Sequence, residues 1–148
     1  MASIIKGEDM ATGTSLDESA AVRLQQAVNH HDLNALADCF APDFVNETPL
    51  HPARSFRGRE QVRKNWAQIF AAVPDMKADL LGSAHDGNTV WTEWELSGTR
   101  LDGARHLMRG VSVFRIEDGV IASVRFYLEP VEQGGAGVDA AVREVLSR

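Results

Sequence analysis

Between Arg105 and Glu129 apolar and polar side chains alternate in two runs joined by Glu117-Asp118-Gly119. In the first run His106, Met108, Gly110, Ser112, Phe114 and Ile116 share one side, and Leu107, Arg109, Val111, Val113 and Arg115 share the other, because successive side chains of a strand point to opposite faces. In the second, Ala122, Val124, Phe126 and Leu128 oppose Ser123, Arg125, Tyr127 and Glu129. Asp-Gly between two such runs predicts a hairpin. One face of that hairpin is almost wholly apolar and must be covered, and the segments able to cover it lie upstream.

Upstream the period changes from two to that of a helix. Ser15 can cap, Glu18 follows three residues later, and Ala21, Leu24 and Val28 then recur at helical spacing, so a first helix is expected from Leu16 to about Asn29. Asp32 can cap a short second helix carrying Leu33, Leu36, Ala37 and Phe40, which Pro42 is expected to end. Phe44 to Thr48 reads as a short strand, and Pro49 and Pro52 force a loop through His51. Val62, Trp66, Ile69, Phe70 and Val73 place a third helix over residues 59–73. A meander follows, with strands over residues 76–84 and 90–98, turns at Asp86-Gly87-Asn88 and Leu101-Asp102-Gly103, and then the hairpin. Helices first and antiparallel strands afterwards make an α+β layout.

Residues 1–15 have no sustained period and read as a flexible leader, residues 16–132 as the domain, and residues 133–148 as a glycine link with a short helix. Val138, Val142, Val145 and Leu146 give that helix an apolar stripe, expected to dock on the domain or on a neighbouring subunit. At 148 residues one domain with a real core fits, and 44% hydrophobic with 24% charged residues is ordinary for a globular chain. A formal charge of −6 without a basic stripe argues against nucleic acid and against acidic membrane surfaces. No apolar run is long enough to span a bilayer and none resembles a signal peptide, so a cytoplasmic location is expected. The single cysteine, Cys39, sits among Leu36, Phe40 and Phe44 and reads as a small buried hydrophobe.

The strings His31-Asp32-Leu33 through Leu36, Phe40-Ala41-Pro42-Asp43-Phe44-Val45, Phe56-Arg57-Gly58-Arg59-Glu60 with Val62, and Phe114-Arg115-Ile116-Glu117-Asp118-Gly119-Val120-Ile121, in this order, resemble the nuclear transport factor 2-like superfamily. The likeness covers about Leu16 to Glu132 and is nearest to the SnoaL-like branch. It implies a cone-shaped fold in which three N-terminal helices pack on a strongly curved, mostly antiparallel sheet around a deep pocket, commonly with dimerisation through the outer sheet face. Fold does not settle function, because the superfamily holds isomerases, epoxide hydrolases, cyclases, dehydratases and binding modules. The isomerase chemistry needs a carboxylate base, a phenol and a protonated acid, and the resemblance puts Thr48, Leu24 and Ser112 at those positions. The water-activating set of the epoxide hydrolases falls on Trp94, Leu96 and Phe126, the last also near the acid/base aspartate of the cyclases. Neither set is present.

By strand parity the cavity side should carry Thr92, Trp94, Leu96, His106, Met108, Gly110, Ser112, Phe114, Val124, Phe126 and Leu128, with Asn46 and Thr48 facing it from the short strand and Trp66 and Phe70 as walls. This composition suits a small, mostly apolar molecule held by a few polar groups. His106 is the general acid/base candidate, since it alone among them titrates near neutral pH. His51 is expected at the mouth, and Glu47 turns inward only if a bulge reverses its parity. Gly110 marks either a bend or a close ligand approach. On the outer face Trp91, Glu93, Glu95, Arg109, Arg115, Arg125 and Tyr127 suit a self-complementary homodimer interface, or a solvated face with cross-strand pairs. No metal-ligand spacing, phosphate loop or nucleophile motif occurs, so no cofactor is expected. Two functions fit: proton-transfer catalysis of the isomerase, dehydratase or cyclase type, with His106 as acid/base, and ligand binding or dimeric interaction without turnover.

Overall fold

The computed structural model describes residues 16–148, with side chains from Ser19 onward. The expected leader and the Ser15–Glu18 capping pair lie outside the described residues. Helices α1 (Leu16–Asn29) and α2 (Leu33–Asp38) precede strand β1 (Phe40–Glu47), a 3-10 turn (Pro52–Arg54) and β2 (Phe56–Arg57). Helix α3 (Arg59–Ala72) leads into β3 (Lys77–Asp86), β4 (Thr89–Thr99), β5 (Arg105–Glu117), β6 (Val120–Phe126) and β7 (Glu129–Pro130), and α4 (Val138–Leu146) closes the chain. One curled sheet runs in the order β2-β1-β6-β5-β4-β3, with β7 on β5. All its pairings are antiparallel except β1 with β6. Helices α1 to α3 cover the concave face, as the cone-shaped α+β fold requires.

Local chemistry explains most boundaries. Asp32 Oδ1 accepts from Ala35 N at 3.0 Å and caps α2. At the end of α1, Asp32 N donates to Ala27 O and His31 N to Val28 O, the two bonds of a Schellman cap. His31 takes the left-handed position there (φ 52°) that usually goes to glycine. Its ring stacks on Phe70 at 4.7 Å and its Nε2 lies 2.8 Å from Met76 O, which offsets the backbone cost. Asp118 and Gly119, both at positive φ, form the two-residue turn of the predicted hairpin.

Three expectations need correction. Pro42 does not end α2, which stops at Asp38; it lies inside β1. Between Phe40 and Val45 β1 loses register with β6, advancing five residues against two (Phe40↔Ile121, Val45↔Ser123), so a residue without an N–H is tolerated there. In β6 the inward position goes to Ile121, which joins the core, because the pairs Arg115↔Ser123 and Ile116↔Ile121 leave Ala122 as the extra residue of a bulge. Of its two expected seats, the stripe of α4 does not take the one on the domain: Val138, Val142, Val145 and Leu146 are all exposed. Glu47 stays exposed, as a regular strand end dictates.

At Gly110 the close approach is made by the chain's own backbone. The residue sits at φ 151°, and a Cβ there would lie 2.3 Å from Tyr127 O and 2.8 Å from Leu128 Cα. Ser112 pairs with Phe126 and Arg109 with Glu129, so β7 continues the β6 register across the interruption at Gly110. The register therefore passes this point without slipping.

Candidate functional site

The concave face is not filled. A cavity of about 360 Å³ lies between the sheet and the helices. The β4, β5 and β6 strands supply Trp94, Leu96, His106, Met108, Ser112, Phe114, Val124 and Phe126, in agreement with strand parity, and Leu128 follows just beyond β6. Asn46 and Thr48 border it from β1 and the residue beyond. From α3 come Val62, Asn65, Trp66 and Ile69, spaced i, i+3, i+4 and i+7 along one side. Phe70 is not in the wall: it sits behind Trp66, 5.5 Å between ring centroids, and holds His31. His51 is likewise one contact away, its Nε2 at 3.0 Å from Glu129 Oε1, while Glu129 itself borders the cavity. Arg54, Asn65 and Glu129 were not singled out from the sequence. Asn65 was legible, since it shares the helical side of Val62, Trp66 and Ile69; Arg54 and Glu129 reach the wall only through loop and strand placement.

Burial grades along the cavity. Asn46, Thr48, Ser112, Phe114, Phe44 and Val62 are buried, whereas Arg54 is exposed and His106, Met108, Leu96 and Glu129 are partly exposed. The first set forms the blind end and the second the mouth. Ser112 and His106 are six residues apart on β5, a separation of roughly 20 Å if the strand were straight. Ser112 is buried and His106 partly exposed, so the two mark opposite ends.

The polar groups at the blind end are incompletely paired. Asn46 Nδ2 donates to Thr48 Oγ1 at 3.0 Å. Thr92 Oγ1 donates to the Ser112 carbonyl at 2.6 Å and accepts from Trp94 Nε1 at 2.7 Å, which satisfies the indole and fixes its ring in the wall. Neither the Ser112 hydroxyl nor Asn46 Oδ1 has a protein partner among the described residues, although Ser112 is 4% and Asn46 8% exposed. A buried polar group left unpaired costs about 1–3 kcal/mol, so these atoms are poised to gain from a partner inside the cavity.

Titration separates the remaining candidates. Burial pushes the His106 imidazole below its ordinary range, and the nearby Arg100 charge pushes the same way, leaving it neutral at pH 7 and able to accept a proton. Burial raises the Cys39 thiol to about 11, outweighing the opposing Arg23 charge, which makes it a poor nucleophile as its sequence setting implies. No group of three or more metal-ligating side chains gathers among the described residues, and none of their helices is long and apolar enough to cross a membrane.

The geometry has counterparts. The SnoaL-like domain family matches residues 21–124 of the chain. IdmH of Streptomyces antibioticus, a candidate polyketide cyclase, is 25% identical over 76% of this chain and 91% of its own, with a TM-score of 0.67. An LEH-like epoxide hydrolase of M. tuberculosis is 20% identical over 78% of this chain and 84% of its own, also at 0.67. A protein of ketosteroid isomerase-like fold from Catenulispora acidiphila, in complex with trimethylamine, is 20% identical over 73% and 84%, with a TM-score of 0.61. The last two likenesses show the fold alone. No curated protein matches the chain. Leu24, Thr48, Ser112, Trp94, Leu96 and Phe126 all border the cavity, and none of them is an acid or a phenol.

In an NMR titration of the histidines, His106 should titrate below the ordinary value of about 6.5. Arg100→Gln should move that midpoint up but leave it below the ordinary value, since burial is the larger cause. A midpoint at or above the ordinary value would remove His106 as a neutral base.

Proposed function

The chain belongs to the SnoaL-like domain family, within the nuclear transport factor 2-like superfamily, and we propose that its cavity binds one small, mostly apolar molecule bearing an oxygen function at the end that enters first. The unpaired Ser112 hydroxyl and the Asn46–Thr48 pair, buried at the blind end of an otherwise apolar wall, carry this reading. Apolar walls supply most of the affinity at about 25 cal/mol per Å² removed from water. The few polar groups set orientation. A volume of about 360 Å³ lies toward the low end of ligand pockets, roughly 300–1,000 Å³, so the guest is a single compact molecule.

Turnover, in this reading, is proton transfer by His106 of the isomerase, dehydratase or cyclase type. Its lowered affinity for a proton suits a base, and its place near the mouth puts it at the end of the ligand remote from Ser112. The second reading is a binding or interaction module without turnover. It is favoured by the absence of any Asp or Glu from the cavity wall of the described residues other than Glu129 at the rim. A matched pair of guests tests the common part of both. Replacing Ser112 by Val should raise the unfolding free energy by about 1 kcal/mol and weaken naphthol, read by quenching of Trp66 and Trp94, while leaving naphthalene unchanged. Equal loss of both guests, or a destabilised variant, contradicts the role given to the hydroxyl.

We further infer a homodimer through the outer sheet face. Trp91 is 42% exposed there and Tyr127 is partly exposed, beside Arg109 and Glu95, whose pair (Nε to Oε1, 2.7 Å) is already closed within the chain. Such a face, aromatic beside a closed Arg109–Glu95 pair, is suited to self-association. Sedimentation at tens of micromolar should give twice the chain mass, and Trp91→Glu should halve it; a monomer before substitution refutes the interface.

A further inference from the structure

Resting on the binding reading above, the rim of the same cavity narrows the class of guest. The wall holds one guanidinium, Arg54, and one carboxylate, Glu129. They are not equally available. Glu129 already accepts from His51 Nε2 at 3.0 Å, whereas the Arg54 side chain has no hydrogen-bond or ion-pair partner among the described residues. Arg54 is held in place by its backbone: it ends the 3-10 turn Pro52–Arg54, its N–H donates to His51 O, and the next residue, Ser55, accepts from Thr48 N through Oγ at 3.1 Å.

Two other polar groups of the cavity wall are also donors. Asn65 Oδ1 is occupied by Gln61 Nε2 at 2.8 Å, which leaves its own amide N–H groups unused. Thr48 Oγ1 accepts from Asn46, so its hydroxyl proton remains to be donated. Exchanging the O and N of Asn46 would free an N–H of that residue instead and leave the balance unchanged. Three donors, one of them charged, therefore border an apolar cavity from the loop after β1 and from α3, while the one charged acceptor is engaged. His106, neutral, adds no competing positive charge.

We propose that the guest is an amphiphilic anion, an apolar body with a carboxylate-like head that pairs with Arg54 at the rim. A planar guanidinium offers such a head two parallel N–H donors, and charge-assisted bonds of this kind are the stronger ones. The formal charge of −6 on the chain does not oppose this, since charges more than about 8 Å away are screened at physiological salt.

Two dyes of nearly the same skeleton test it, anilinonaphthalene sulfonate and its neutral relative N-phenylnaphthylamine, each followed by energy transfer from Trp66 and Trp94. The anion should bind about tenfold more tightly than the neutral dye, the gap should narrow as salt rises, and Arg54→Gln should close it by weakening the anion alone. Met108→Trp, which crowds the mouth, should weaken both. Neutral dye binding as tightly as the anion, a gap that survives Arg54→Gln, or dyes indifferent to Met108→Trp would overturn the proposal while leaving the cavity open to a neutral guest. Failure of either dye to bind would overturn the proposal together with the binding reading.

Discussion

The close approach of two backbones at Gly110 is the constraint on which the pairing of β5 with both β6 and β7 depends. Close packing is the default state of a protein interior, and a flat sheet under three helices would be filled by their side chains. Here β5 carries no side chain at Gly110, allowing the Tyr127–Leu128 backbone to approach at a distance no Cβ could tolerate. The early half of β5 is thereby carried on β7 and the later half on β6 in one unbroken register. The curled sheet is too concave for α1 and α3 to fill. Leu24, Val28, Val62, Trp66 and Ile69 cover the hollow as a roof and stop short of its floor.

A hollow of this kind is stable only if its lining tolerates being dry or is repaid on binding. Most of the wall is hydrocarbon and meets the first condition. The polar atoms divide according to need. Trp94 Nε1 and Thr92 Oγ1 are satisfied by one another and by the backbone, so they hold the wall still. Ser112 Oγ and Asn46 Oδ1 are left open at the blind end and define a direction of entry. His106, kept neutral by burial and by Arg100, closes the other end with a group that can take a proton. Polar groups thus stand at both ends of the hollow instead of in a ring at a single level.

Much of this was legible in residue order because period two is unforgiving. One strong turn, Asp118-Gly119, fixed the hairpin, and from it the inward set His106 through Phe126 followed. Where local irregularity intervened, pattern failed: an extra residue at Ala122 handed the inward place to Ile121, and lost pairing let Pro42 sit within a strand. Phe70 has the helical spacing of a wall residue but is drawn away by His31, a contact spanning two loops that no periodicity encodes. Arg54 and Glu129 come to the rim through tertiary placement alone. The stripe on α4 shows the opposite failure, for its apolar pattern is real while the domain offers it no covering.

The account stands on the interior being hollow, and a small-to-large substitution at the floor measures that most directly. Val124 is buried, 5% exposed, and borders the cavity. Extra volume forced into a filled core costs about 1–3 kcal/mol. Urea unfolding of Val124→Phe should therefore show stability unchanged or raised, with the added ring occupying space meant for a guest. A loss of about 1–3 kcal/mol would mean that the side chains already interlock there and that the cavity does not exist in solution.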